Sequence, residues 1–72
     1  MLYLVWYDES PKKTVVEKIG EAVAAYSARF PTVPANLVLV NPIDQVPYAG
    51  LVVRSERTVQ PNNFWVGYQE NT

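Results

Sequence analysis

The sequence contains no cysteine and no histidine. The first absence excludes disulfide staples, thiolate metal sites and thiol nucleophiles. The second removes the commonest metal ligand and the usual general base near neutral pH. Ser10, Ser27 and Ser55 therefore have nothing of the usual kind to activate them. Only three glycines are present, Gly20, Gly50 and Gly67, too scattered to form a loop that cradles phosphate. An enzyme is not expected, nor is a cofactor.

Charge is also sparse. Six basic and seven acidic residues leave a net charge of −1, and neither sign gathers into a stripe. Lys12-Lys13 and the separate Arg54 and Arg57 are the nearest approach to a basic patch, which argues against duplex nucleic acid as a partner. No apolar run reaches the roughly 20 residues of a membrane span. The opening "MLYLVWY" is too short for one and has neither a basic segment before it nor a small-residue cleavage motif after it. It reads as a strand, and the expected location is cytoplasmic.

What remains is strongly apolar, at 49% of residues, enough for a folded domain. Residues 1–72 read as one domain. A chain of this size buries only about 60% of the surface its unfolded form exposes, so it either packs very well or gains stability from a partner chain.

Four strands and one helix are expected. Leu2 to Tyr7 is apolar on both alternations, the pattern of a strand covered on both sides and central in its sheet. The helix has two candidate starts: Ser10 as cap with Pro11 first in the helix, or Thr14 as cap with Glu17 completing a capping box. Its apolar stripe runs Val15, Val16, Ile19, Ala22, Val23, Tyr26 and Phe30, and Pro31 ends it. Gly20 costs about 1 kcal/mol in mid-helix and suggests a close approach there. Leu37 to Val40 reads as a second strand, parallel to the first across the helix. Leu51 to Val59 reads as a third, and Phe64 to Gln69 as a fourth pairing with it in a hairpin across "QPNN". The expected fold is α+β: a two-layer β-α-β-β-β domain, a mixed four-stranded sheet with one helix packed on one face.

One helix covers one face. Phe64 and Trp65 are adjacent, so one enters the core under the helix and the other points to the far side. The set assigned to that far face is Tyr3, Val5, Tyr7, Val38, Val40 and Trp65, and a one-residue change of register would swap faces. Such a patch exceeds what a soluble monomer usually leaves in water. A partner chain is the expected cover, most simply a second copy in a homodimer; the competing cover is the 41–50 loop with Ile43, Val46, Pro47 and Tyr48.

Two other sites are conceivable. Asp8, Glu9 and Asp44 fall at the edge where the first two strands end, where open α/β sheets bind ligands, and three carboxylates suit a hard cation such as Mg²⁺. The simpler reading is that Ser10 and Thr14 are helix caps, Asp8 and Glu9 favour the helix dipole, and Asn41-Pro42 starts a turn. Tyr3, Tyr7, Trp65 and Tyr68 could stack single-stranded bases, but only Arg54 and Arg57 would flank them. The leading expectation is a small non-enzymatic protein–protein interaction domain.

Overall fold

The computed structural model describes residues 3–70. It is an α+β fold with one helix packed on a mixed four-stranded sheet. The elements run β1 (Tyr3–Tyr7), α1 (Val15–Arg29), β2 (Leu37–Val40), a 3-10 turn (Pro42–Asp44), β3 (Val52–Ser55) and β4 (Asn63–Gly67). Leu2, expected at the start of the first strand, lies outside the described residues.

Thr14 is the helix cap. Its hydroxyl accepts from the Glu17 N–H at 3.1 Å, and the Glu17 carboxylate accepts from the Thr14 N–H at 3.0 Å. Two otherwise unpaired donors are satisfied at once, which explains why the helix begins here and not at Ser10. It stops where the Phe30 N–H bonds back to Tyr26 and Pro31 can no longer donate.

The strand order is β1-β4-β2-β3, and it corrects the expected pairing in three ways. β4 does not form a hairpin with β3; it lies between β1 and β2, antiparallel to both. β1 and β2 thus run in the same direction without touching. β1 is an edge strand, although its sequence is apolar on both alternations, while the central places go to β2 and β4. β3 pairs parallel to β2 and is short, because Glu56 N–H makes its last ladder bond to Val40 and the chain turns at once, with Val59 N–H bonding Glu56.

Under the helix lies the main core. Ile19, Ala22 and Tyr26 from α1 meet Val38 and Val40 from β2 and Phe64 and Val66 from β4, all fully buried. Leu4 and Trp6 of β1 and Val53 of β3 border it. Burying side chains of this size contributes about 1.5–3 kcal/mol each. Val38 and Val40 are therefore not on the open face, as the sequence had suggested. "LVLV" carries no polar residue to fix its register, and the ladder with β4 turns Leu37 and Leu39 outward instead.

The 41–51 crossover does not cover the far face either. It returns on the helix side, where Val46, Tyr48 and Leu51 join the main core. Gly20, expected from the sequence to mark a close approach to the sheet, instead faces the crossover: a Cβ there would lie 3.2 Å from the Tyr48 hydroxyl.

Candidate functional site

On the face without a helix, the register sets side chains in rows. One row is Tyr3, Gly67, Leu37 and Val52; the next is Val5, Trp65, Leu39 and Arg54. Gly67 contributes no side chain, which leaves room between Tyr3 and Leu37. The Tyr3 and Trp65 rings lie tilted at 58° with centroids 6.0 Å apart, an arrangement aromatic pairs favour. Leu37 and Leu39 are buried beneath these rings and Val59, which folds in from the turn after β3. Sequence reading missed Val59, because its alternation fits a strand as well as a turn.

Coverage ends towards β1. Val5 is 52% exposed and Tyr7 57%, and the Tyr7 hydroxyl donates to Glu9 at 2.6 Å. Of the six residues assigned to this face, the structure brings together Tyr3, Val5, Tyr7 and Trp65 and sends Val38 and Val40 to the other side. Val52, 61% exposed at the opposite edge, extends the apolar surface.

The acidic edge resolves into separate local contacts. Asp8 accepts from the Ser10 N–H at 2.9 Å and lies 3.6 Å from the Lys13 ammonium. Glu9 is taken by Tyr7. Asp44, nearly buried, accepts from the Asn62 N–H at 2.9 Å. Among the described residues no group of three or more acidic, histidine or cysteine side chains comes together, so Asp8, Glu9 and Asp44 do not meet in one site. Asp8 and Asp44 each bond to Asn62. Its φ is +66°, its carbonyl accepts from the Asp8 N–H at 3.0 Å, and its side-chain oxygen receives the buried Lys18 ammonium at 3.4 Å. Asparagine tolerates that left-handed conformation better than most residues.

The ionisation of this edge follows from its contacts. The Ser10 N–H is the largest influence holding the Asp8 carboxyl below its ordinary range; partial burial opposes it, and the Lys13 and Lys18 charges reinforce it. The Thr14 N–H does the same for Glu17. A carboxyl depressed in the folded state stabilises the fold above its unfolded pKa, and that contribution is lost as pH falls through the folded value. The urea midpoint should therefore drop on acidification below the ordinary values of 3.8 and 4.5. The double variant Asp8→Asn, Glu17→Gln should have a lower midpoint at pH 7 and a flatter acid limb. An unchanged acid limb would show that these two groups do not govern it.

A shallow depression of about 500 Å³ lies on the helix side, lined by Gln45, Val46, Pro47, Tyr48, Leu51 and Val53. It holds no ionisable pair suited to acid–base chemistry. Among the described residues no helix is long and apolar enough to cross a membrane. No family model matches this chain, and no curated protein or solved structure is significantly similar to it.

Proposed function

We propose that this chain is a non-enzymatic protein–protein interaction domain whose contact surface is the β1 side of the open sheet face, and that it self-associates there. One observation carries the reading: Val5 and Tyr7 stand more than half exposed beside the Tyr3–Trp65 pair, on a sheet face that no helix covers. Water contact at such a patch is unfavourable, and its aromatic residues are the type in which interface energy concentrates.

Trp65 is a poor residue for testing this, since it also covers Leu37 and Leu39. Val5→Lys is better, because it places a charge on an exposed position and removes no core contact. Light scattering over a hundredfold dilution should give a mass above that of one chain for the unaltered protein. Val5→Lys should reduce it to one chain with unchanged circular dichroism. A single-chain mass for the unaltered protein at every concentration would overturn the reading.

A further inference from the structure

Among the described residues both sheet edges are free, but they are not alike. At β3, the Val52 amide bonds to Asn36, just before β2, and the Glu56 amide to Val40, so Val53 turns its carbonyl outward. There the Gln45 side chain caps it at 3.4 Å. An Arg54–Glu56 ion pair at 3.6 Å adds charge to the same strand. These are devices by which sheet edges avoid pairing with other chains. The β1 edge has none of them. Tyr3–Tyr7 contains no charge and no proline, and among the described residues no side chain hydrogen-bonds its outer backbone groups.

The register identifies those groups. The Asp8 amide bonds to Asn62 and continues the β1–β4 ladder, in which hydrogen-bonded pairs recur every second residue. Trp6 and Leu4 therefore face β4, and Tyr3, Val5 and Tyr7 turn their N–H and C=O groups outward. Resting on the self-association reading above, we infer that a second copy pairs with this edge, β1 antiparallel to β1, about a two-fold axis through Val5. That axis sets Val5 opposite Val5 and Tyr3 opposite Tyr7, so every outward donor meets an outward acceptor. It also makes Tyr3, Val5 and Tyr7 of the two copies cross-strand neighbours, so that each β1-side patch is partly covered by the other's side chains.

The helix supplies a second, independent match. α1 packs over β1 and β4. Its Gly20 flank faces Tyr48 on the β3 side, and its Glu21 flank leans to the β1 side, where Lys13 bridges Glu21 at 2.9 Å and Asp8 at 3.6 Å. Glu21, Ala25 and Arg29 follow one another at four-residue spacing along that flank. The same two-fold axis places the two helices side by side and antiparallel. With Ala25 on that axis the row would be self-complementary, Glu21 of one copy meeting Arg29 of the other beside its own Lys13. A stable interface needs about 1,000 Å² in total, and the helix flanks add to what the short strands bury.

Three measurements separate this arrangement from two open faces stacked together. Val5→Pro removes an outward N–H that bonds nothing among the described residues while keeping an apolar side chain. Edge pairing predicts that it reduces the mass to one chain; face stacking predicts that the dimer persists. Spin labels on Val52→Cys, in a chain with no other cysteine, should sit roughly 30–40 Å apart, since the two β3 strands would be seven strand spacings of about 4.8 Å distant. Stacked sheets that overlap fully lie about 10 Å apart and would keep the labels within roughly 25 Å. Glu21→Arg should weaken the dimer roughly five- to tenfold, and adding Arg29→Glu should restore it.

A dimer with labels under 25 Å would overturn edge pairing and leave self-association standing. A single-chain mass for the unaltered protein would overturn both. If Val5→Pro fails to fold, the label distance and the charge reversal decide.

Discussion

Phe64→Ala is expected to cost about 3–5 kcal/mol, a quarter at the least of what a domain of this size has available. Stability of roughly 0.05–0.15 kcal/mol per residue gives about 4–11 kcal/mol for this chain. Phe64 is fully buried and stands between Trp6 on one neighbouring strand and Val40 on the other, with the helix above. Truncation there would leave a cavity with three walls, none free to collapse. Trp65, one position on, packs in the smaller cluster with Leu37, Leu39 and Val59 and is part-exposed. Trp65→Ala should cost less, although its side chain is larger. Urea denaturation of the two variants side by side is the check, and a larger loss at Trp65 would contradict the assignment of faces.

The second large effect is expected at Asp44→Ala. This carboxylate is 6% exposed and accepts the amide of Asn62, the residue on which the end of β1, Lys18 and the 3-10 turn converge. A hydrogen bond to a charged group contributes about 1.5–3 kcal/mol, and removing the acceptor strands its donor. Asn62→Gly should be much milder, since glycine accepts the positive φ and keeps the amide that Asp44 holds. Equal losses in the two variants would mean that the Asn62 side chain matters more than the Asp44 bond. No loss in Asp44→Ala would remove the turn from the account of stability.

These two positions also show what the sequence disclosed and what it withheld. Alternation was enough to place Phe64 and Trp65 on opposite faces, whereas the helix start stayed open between Ser10 and Thr14 until the capping box was seen to close. Strand order was not readable. Whether a strand sits at an edge or in the middle is normally signalled by charge on the exposed side, and β1 has apolar residues on both. Leu37–Val40 had the same ambiguity, since a run without a polar residue fits either register. The proline and two asparagines before Phe64 signalled a turn correctly, but a turn says nothing about which strands lie on either side of it. Asp44 looked like a ligand because its partner, Asn62, lies far along the chain.

The place of β4 between β1 and β2 has a consequence for the order in which the molecule can assemble. Nearly the whole chain separates β1 from the strand it pairs with. During synthesis from the N-terminus, "YLVWY" has no sheet partner until the Asn63–Gly67 segment has left the ribosome. The helix can form early from its own capping box, but most of the sheet cannot. Long-range pairings of this kind slow folding and keep apolar strands exposed while they wait. A chain stopped before β4 would hold β1 without any partner of its own, so the last strand acts as the closing step on which the rest of the fold depends.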